Sequence, residues 1–377
     1  MKILVTGAKG FMGRNFISWL KNENKHEIYQ FDLGNTLEEL EKWARKCDIV
    51  FHLAGVNRPK DAQDFKKGNF SFSQTLVNLL VKQRNFVPIV FTSSIQVANE
   101  TEYGLTKRAA EEVIFNYGQK YDVLCYVFEL PNAFGKWARP NYNSVVATFC
   151  YNLARNLPIE INRADLRLVY IDDIIQAFFS ILEGQFQVGE DGYSYVTPVL
   201  ETSVQEIADI LQEFVNMRYS LRVPDDSQLL RKYLYATLIS YFPSEALVSV
   251  LPIHSDARGT FMMFINDYNA GRMSSHVTYP GETKGNHWHS TLIERFCNVS
   301  GKILFRMRKV GENEVRKILL EGEHPQVLEV PPGVVHNFTN VGNTESVTLI
   351  WGSNLYNPDS LDTFYESVEP VANGAKR

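Results

Sequence analysis

In the first two thirds of the chain, short apolar runs alternate with longer segments whose apolar positions recur at helical spacing. The runs at 2–6, 27–32, 48–53, 88–93 and 123–129 predict strands. Segments 11–21, 37–46, 69–83 and 103–120 predict helices between them, and 145–155, 173–182 and 204–215 predict three more. This alternation predicts an α/β fold with a doubly wound parallel sheet and helices on both of its faces.

Beyond residue 251 the helical period disappears. Short β-rich runs at 274–279, 292–299, 302–307, 327–330 and 346–351 are separated by Gly, Pro and Asn, which is typical of a small antiparallel barrel or jelly roll. We therefore predict a domain over 1–245 and an all-β domain over 251–370. The last residues, 371–377, lack a core pattern, and we expect a disordered tail there.

Composition limits the possible partners. The chain has 377 residues and a formal net charge of -5, which favours two domains and argues against a nucleic-acid or anionic-membrane partner. We expect neither a signal peptide nor a membrane span, because no apolar run is long enough. Its 4 cysteines form no CxxC pair, so we expect buried free thiols and a cytoplasmic protein.

A glycine-rich motif, TGAKGFMG, follows the first predicted strand and opens the first helix. In this Rossmann-type setting the glycines allow a tight turn, close approach of a pyrophosphate and close packing of the helix on the strand. We predict that the motif binds a dinucleotide, through Gly7, Lys9, Gly10, Phe11, Met12 and Gly13.

The sequence does not decide whether the ribose of that cofactor carries a 2′-hydroxyl, as in NAD, or a 2′-phosphate, as in NADP. Asp32 ends the second predicted strand, where a carboxylate would bind the ribose 2′-hydroxyl of NAD, although a solvated strand-end carboxylate is equally consistent with the sequence. Lys9 and Arg14 lie near the adenosine end and would favour the 2′-phosphate of NADP. We therefore predict NADPH or NADH.

Three further residues point to reduction of a carbonyl group. Tyr103 and Lys107 are four residues apart, so they share one face of a helix, and Ser94 ends the preceding strand. The ammonium group is expected to lower the pKa of the phenol, which would then transfer a proton near neutrality. Ser94 would polarise the carbonyl group.

These motifs resemble those of extended short-chain dehydrogenase/reductases, the group that contains nucleotide-sugar epimerases, dehydratases and reductases. The matching segments are TGAKGFMG, DIVFHLAG, SSIQ followed by YGLTK, and LPNAFG. The resemblance implies that Leu53, Ala54 and Gly55 line the cofactor, and that Asn132, Lys136 and Asn141 face a nucleotide-sugar. VANETEYG departs from the usual continuation after SSIQ.

The C-terminal part carries histidines and a glutamate at metal-ligand spacing. His287, His289 and Glu294 lie in G-x5-H-x-H-x4-E-x6-G, and His336 follows in P-x-G-x2-H-x3-N. Three imidazoles and a carboxylate suit Zn, Ni, Mn or Fe(II), and zinc is named first because it is redox-silent and binds these ligands readily. A metal that serves structure alone is the alternative.

This spacing resembles the two-part cupin motif, although the second motif lacks its upstream glycine. DARGTF resembles the DxRGxF segment of sugar-nucleotide 3,5-epimerases, and KGNHWH lies where those enzymes carry a proton-abstracting histidine. His287 is therefore a candidate both for ligand and for base. Arg258, Lys284 and Lys302 are candidates for holding phosphates or an enolate.

The fusion of these two parts resembles a family of bifunctional capsular polysaccharide enzymes. The resemblance implies C3 epimerisation of a UDP-2-acetamido-2,6-dideoxy-4-hexulose and then NAD(P)H-dependent reduction of C4. The product would be UDP-2-acetamido-2,6-dideoxy-L-talose, a precursor of UDP-N-acetyl-L-fucosamine. The alternatives are a 4-ketoreductase whose cupin only binds or dimerises, and a non-enzymatic nucleotide-sugar sensor. We expect a homodimer.

Overall fold

The structure is a computed structural model that describes residues 1–59, 61, 63–218, 220–225, 227–356 and 362–369. The chain divides into two compact units, Met1–Glu213 with Asp226–Ser244 and Phe214–Asp225 with Glu245–Arg377. The predicted limits of 1–245 and 251–370 stay a prediction, and the predicted tail at 371–377 lies outside the described residues. Among the described helices, none has the length and apolar character required to cross a membrane.

The first unit is built from alternating strands and helices. Its strands are β1 (Lys2–Thr6), β2 (Glu27–Phe31), β3 (Ile49–His52), β4 (Ile89–Thr92), β5 (Cys125–Phe128), β6 (Asn132–Phe134), β7 (Asp165–Tyr170), β8 (Tyr193–Ser194) and β9 (Leu200–Ser203). Its helices are α1 (Phe11–Glu23), α2 (Leu37–Ala44), α3 (Gln63–Phe65), α4 (Phe72–Lys82), α5 (Glu102–Tyr121), α6 (Val145–Leu153), α7 (Ile171–Leu182), α8 (Val204–Met217) and α9 (Leu229–Ile239). The end of α8, from Phe214, belongs to the second unit.

Six strands form one parallel sheet in the order β2-β1-β3-β4-β5-β8. The strands β3, β4 and β5 are buried throughout, because helices cover both faces of a sheet of this kind. The carboxyl ends of these parallel strands lie at one edge, where ligands bind in open α/β sheets. The predicted doubly wound fold is confirmed.

The described residues of the first unit include features that the sequence pattern does not predict. A second sheet pairs β6, β7 and β9, and its strands are only 3, 6 and 4 residues long. Before α4 the chain forms a π-helix over Lys66–Ser71, where we predict an α-helix from residue 69. Such π-turns are frequent at functional sites.

From His254 onward, the described part of the second unit is all-β. Its strands are β10 (His254–Asp256), β11 (Gly259–Asp267), β12 (Gly271–Thr278), β13 (Thr283–Trp288), β14 (Glu294–Ser300), β15 (Lys302–Lys309), β16 (Arg316–Glu321), β17 (Val327–Val330), β18 (Val334–Asn340), β19 (Ser346–Gly352) and β20 (Phe364–Tyr365). Antiparallel pairing gives two sheets, β10-β11-β12-β19-β14-β17 and β16-β15-β18-β13-β20. The prediction of an all-β C-terminal region with antiparallel sheets is confirmed.

The core of the second unit contains aromatic and aliphatic side chains from six strands, β14 to β19. Phe296, Phe305 and Phe338 are buried together, with ring centroids 4.9 to 6.4 Å apart. Beside this core, β13 contains a bulge between Gly285 and His287, and Gly285 has φ +105°. The extra residue turns His287 to the same side as Lys284, because side chains otherwise alternate along a strand.

The cysteines are free thiols, as predicted. Cys47, Cys125 and Cys150 are buried, and Cys297 is half-buried. Burial raises the pKa of the Cys47 thiol to about 12 and that of Cys125 to about 11, so both are uncharged, unreactive packing groups.

Candidate functional sites

A glycine-rich turn connects β1 to α1 and lies against the segment that follows β3. Gly7 has φ +70°, and a Cβ there would lie 2.7 Å from the backbone nitrogen of Ala54. A Cβ at Gly13 would lie 2.2 Å from the carbonyl oxygen of Gly7, so a larger residue would force α1 away from the turn. Gly10 precedes α1 without a side chain to cap it. This backbone cradle fits a pyrophosphate.

The other predicted cofactor residues surround the turn. Lys9 and Gly55 are exposed, and Phe11, Met12, Leu53 and Ala54 are half-buried. A Cβ at Gly55 would lie 3.9 Å from Nζ of Lys107. The structure therefore brings the predicted cofactor cradle next to the predicted catalytic lysine.

Asp32 follows β2 and faces the same turn. One carboxylate oxygen accepts a hydrogen bond from the backbone amide of Lys9 at 2.7 Å, and the other accepts from the amide of Leu33 at 2.8 Å. Each carboxylate oxygen retains acceptor capacity for a hydroxyl group. The contact ties Asp32 to the cradle, and the choice between NAD and NADP stays a prediction.

Ser94 and Tyr103 meet at the edge of the sheet. Ser94 follows β4, Tyr103 lies in the first turn of α5, and the Ser94 side chain lies close enough to the Tyr103 phenol to affect its pKa. Lys107 lies one turn further along α5 and is 4 % exposed. Its ammonium group donates to the carbonyl oxygen of Thr92 at 2.6 Å and lies 4.2 Å from the centroid of the Phe91 ring. The three predicted catalytic residues therefore line one end of β4.

The expected low pKa of Tyr103 is wrong for this structure. Burial raises the pKa of the phenol, and the nearby Ser94 hydroxyl opposes that rise only in part. Burial also lowers the pKa of Lys107 to about 7, while Glu111 acts to raise it. The ammonium group is directed at Thr92 instead of lowering the phenol pKa. A phenol that keeps its proton suits a proton donor to a carbonyl oxygen.

Two residues of this site were missed by the sequence reasoning. Asn69 lies in the π-helix, and its side chain donates to Val56 O at 3.1 Å and to Thr106 Oγ1 at 3.3 Å. Glu111 is 3 % exposed, and its Oε2 accepts from the Tyr193 hydroxyl at 3.0 Å. The spacing of Glu111 from Lys107, four residues on a helix, was the available signal.

The predicted sugar-facing residues lie apart along the loop after β5. Lys136 donates to Asp172 at 2.6 Å, and both side chains are partly exposed. Asn132 is exposed at the start of β6. Asn141 is also exposed and has φ +53°, and its backbone amide donates to Thr148 at 3.0 Å. Their role towards a nucleotide-sugar stays a prediction.

Four potential metal ligands converge inside the second unit. The ligand atoms of His287, His289, Glu294 and His336 all lie within 4.8 Å of one another. Glu294 Oε2 is 3.3 Å from His289 Nε2 and 3.1 Å from His336 Nε2. Within the described part of the chain these three buried atoms have no hydrogen-bond partner. Buried polar atoms are rarely left unpaired, so the arrangement fits a divalent cation between them.

Outer contacts orient two of these imidazoles. His289 Nδ1 donates to the backbone oxygen of Asp362, and His336 Nδ1 donates to Val334 O at 3.1 Å. A proton on Nδ1 leaves the lone pair of Nε2 directed at the cluster, which is the usual arrangement of metal-bound histidine. Arg272 donates to the remaining oxygen of Glu294 at 3.3 Å.

Two histidines of this unit are held neutral. Burial lowers the pKa of His287 to about 4, and its ring centroid lies 4.7 Å from that of His336. Burial and the charge of Lys284 lower the pKa of His276 to about 3. His276 lies on β12, beside Phe261 at a centroid distance of 4.9 Å. Sequence reasoning missed His276, because it belongs to neither motif.

The three predicted cations have different surroundings. Lys284 is half-buried, and its ammonium group donates to Val277 O at 2.8 Å and to Thr260 O at 3.0 Å. Arg258 is exposed and donates to Asp256 at 2.6 Å. Lys302 is exposed and forms an ion pair with Glu321 at 2.6 Å. It begins β15, whereas the backbone partner of His336 lies near the other end of that strand. The structure places Lys284 beside the histidines and does not bring Lys302 to them.

Together, the parallel sheet, the glycine cradle and the Ser94–Tyr103–Lys107 set define the first unit as a dinucleotide-binding fold of the short-chain reductase class. The antiparallel sheets of the second unit carry a cluster of three histidines and one carboxylate, of which His289, Glu294 and His336 are buried.

The chain belongs to the NAD dependent epimerase/dehydratase family, which matches residues 3–192. Residues 254–364 match the Polysaccharide biosynthesis C-terminal domain.

Relatives of the full length carry both units. The chain is 38% identical over 370 residues to a UDP-2-acetamido-2,6-beta-L-arabino-hexul-4-ose reductase of Pseudomonas aeruginosa, covering 98% of this chain and 99% of that protein. The crystal structure of the capsular polysaccharide assembling protein CapF of Staphylococcus aureus superposes with a TM-score of 0.91 at 37% identity, covering 97% and 100% of the two chains. The predicted resemblance to this group is confirmed.

A more distant neighbour shows the fold alone. The NAD complex of UDP-glucuronic acid 4-epimerase from Bacillus cereus covers 64% of this chain and 98% of its own, with a TM-score of 0.54 at 18% identity. This likeness agrees with the parallel sheet of the first unit.

Proposed function

We propose that this chain is a bifunctional nucleotide-sugar enzyme. Its substrate would be a UDP-2-acetamido-2,6-dideoxy-4-hexulose, its reductant NADPH or NADH, and its metal a single divalent ion, with zinc named first. The first step inverts C3 in the second unit, a cupin, and the next step reduces C4 in the first unit. The product, UDP-2-acetamido-2,6-dideoxy-L-talose, leads toward UDP-N-acetyl-L-fucosamine and capsular polysaccharide. The active form would be a homodimer.

The reductase step rests on Ser94 and Tyr103, which lie close together beside Lys107 at the end of β4. A reduced nicotinamide supplies hydride when it is bound. Ser94 holds the carbonyl oxygen by a hydrogen bond, and Tyr103, which keeps its proton, donates that proton as the alcohol forms. Lys107 contributes a positive charge at the same edge of the sheet. The name of the Pseudomonas aeruginosa relative supports reduction of a 4-keto sugar.

The epimerisation step rests on the unpaired atoms of His289, Glu294 and His336, the single observation that carries this half of the proposal. A divalent cation held there supplies Lewis-acid stabilisation of the negative charge that develops when a proton is removed beside a ketone. The proton acceptor would be a neutral imidazole, either His276 or His287. His287 would otherwise complete the ligand set.

The order of the steps follows from the chemistry of the sugar. A proton at C3 is acidic only while C4 is a ketone, so inversion at C3 has to precede reduction at C4. Reduction then fixes the new configuration, because the product alcohol no longer acidifies C3.

One observation favours a second candidate, in which the chain only reduces C4 and the cupin binds or dimerises. The Pseudomonas aeruginosa relative is named for a reductase activity alone. In that case the metal cluster would serve structure, and C3 would keep its hydrogen.

The two candidate functions predict a different hydrogen isotope at C3 of the product formed in deuterated water. The wild-type chain is assayed with NAD(P)H and the UDP-linked 4-hexulose in deuterated water, and deuterium at C3 of the product is measured. Oxidation of NAD(P)H with deuterium at C3 supports the bifunctional enzyme. Oxidation without deuterium supports the reductase alone, and an absence of oxidation with either cofactor contradicts both.

A further inference from the structure

The segment 362–369 runs beside the metal cluster, and we call it the C-terminal strap. Its strand β20 pairs with β13, which places Tyr365 opposite His287 and Phe364 opposite Trp288. The Phe364 and Trp288 rings stack at a centroid distance of 4.4 Å. The strap therefore reaches the strand that carries the first predicted ligand.

The carboxylate of Asp362, at the start of the strap, accepts five hydrogen bonds from three consecutive residues. One oxygen accepts from the amide of Ser290 at 2.7 Å and from its hydroxyl at 2.5 Å. The other accepts from the amide and hydroxyl of Thr291 at 2.9 and 2.7 Å and from the amide of Leu292 at 3.0 Å. Burial alone would raise the pKa of Asp362, but these hydrogen bonds lower it well below its ordinary value.

The bonded residues separate two ligands. His289 directly precedes Ser290, and Glu294 follows Leu292 by two residues. Ser290 and Thr291 are exposed at this turn, whereas Leu292 is buried. The backbone oxygen of Asp362 also accepts the Nδ1 proton of His289. Asp362 thus contacts both the turn between two ligands and the imidazole of one of them, and Ser353 and Asn354 add further hydrogen bonds to the turn.

We propose that Asp362 is a positioning residue of the metal centre. Its carboxylate and backbone carbonyl oxygens hold the ligands in binding geometry, although Asp362 lies about seventy residues further along the chain. The inference rests on the proposed metal-binding function. Outer partners of metal ligands typically contribute about 10- to 100-fold in metal affinity. Because β20 pairs with β13, the strap acts as part of the cluster's support.

The test measures the metal affinity of the intact chain, not its activity. Zn²⁺ is titrated against a chromophoric chelator with the wild type and with Asp362→Ala, and we expect affinity to fall by about 10- to 100-fold. The control is Glu312→Ala, which removes an exposed carboxylate of the same unit that pairs only at 3.5 Å with Lys309. This control should bind Zn²⁺ as the wild type does.

A milder variant guards against misfolding. Ser290→Ala combined with Thr291→Val removes two of the five donors and leaves the carboxylate and the three amides in place. It should lose less affinity than Asp362→Ala, and the Co²⁺ absorption bands should shift in both variants because ligand geometry changes. Circular dichroism of the metal-free chains verifies that they are folded.

The outcomes separate the two proposals. A wild type that binds no Zn²⁺ contradicts the proposed metal function. A wild type that binds one Zn²⁺, together with a folded Asp362→Ala chain of unchanged affinity and an unchanged Co²⁺ spectrum, overturns the positioning role alone. Graded loss across the two variants supports it.

Discussion

The two candidate sites of this chain differ in how their predicted catalytic and ligand atoms are partnered. In the first unit, the Lys107 ammonium group donates to Thr92 and the Ser94 hydroxyl accepts from the Gln96 amide, although Ser93 and Glu111 each keep one buried oxygen without a hydrogen-bond partner in the described part of the chain. In the second unit, one atom each of His289, Glu294 and His336 is buried without a hydrogen-bond partner in the described part of the chain. A site whose groups pair with one another orients and protonates a substrate. A site that leaves three acceptor atoms facing each other needs a cation to be stable.

The largest expected effect is a loss of reductase activity in the first site, with the second site left intact. Tyr103→Phe removes the proton donor and keeps the ring, so NAD(P)H oxidation should fall by about 10²- to 10⁴-fold. The measurement is the absorbance of NAD(P)H with the UDP-linked 4-hexulose. Tyr121→Phe is the matched control, since Tyr121 lies at the end of the same helix and stacks on Phe86 away from Ser94. Equal losses in both variants would contradict a chemical role for Tyr103.

The next effect breaks the second site. His336→Ala removes a ligand that is 1 % exposed, and metal affinity should fall by more than the about 100-fold that loss of an outer partner can cost. Deuterium exchange at C3 should disappear with the metal. The control is His324→Ala, because His324 is exposed outside the cluster. Exchange at the wild-type rate in a metal-free His336→Ala chain would leave the cluster without a catalytic role.

A smaller effect is expected on the pH dependence of the reduction step. The ammonium form of Lys107 exists below its pKa, about 7, and is lost as pH rises through that value. Glu111 acts to raise this pKa, so Glu111→Gln should move the alkaline fall of kcat/KM for reduction to lower pH, by about one unit or less.

The titratable groups around Lys107 and Glu111 determine which control variant is suitable for this test. His52 faces Lys107 and is neutral, because burial lowers its pKa to about 3. Glu129 and Tyr193 face Glu111 from elsewhere in the sheet. Glu112→Gln, one residue along the helix at an exposed position, should leave the pH profile unchanged. Identical profiles for Glu111→Gln and the wild type would show that Glu111 does not sustain the charge of Lys107.

Local pattern was enough to predict five of the six strands of the main sheet, and it missed β8. Each of its first five strands is an apolar run flanked by turn residues, and the predicted ends differ from β1–β5 by at most two residues. The strands β6 and β9 are too short to show alternation, and the π-helix at Lys66–Ser71 holds Asn69 through contacts with Val56 and Thr106. Tertiary contacts of this kind leave no period in the sequence.

The residues of the candidate sites were likewise predictable only where their spacing along the chain is short. Tyr103, Lys107, His287 and His289 were found because chemistry at spacings of two and four residues is visible in one strand or helix. Asp362 was missed because its partners lie far away along the chain. The lowered pKa expected for Tyr103 was wrong, since sequence spacing does not reveal burial or the direction of the Lys107 side chain.

The central claim is that C3 exchange belongs to the metal-bearing unit and reduction to the first unit. The most direct test uses the Tyr103→Phe chain in deuterated water, with and without bound metal, and follows C3 of the UDP-linked 4-hexulose by nuclear magnetic resonance. We predict that the metal-loaded chain introduces deuterium at C3 without consuming NAD(P)H and that the metal-free chain does not. Loss of exchange in the loaded chain, or full exchange without metal, would contradict the claim.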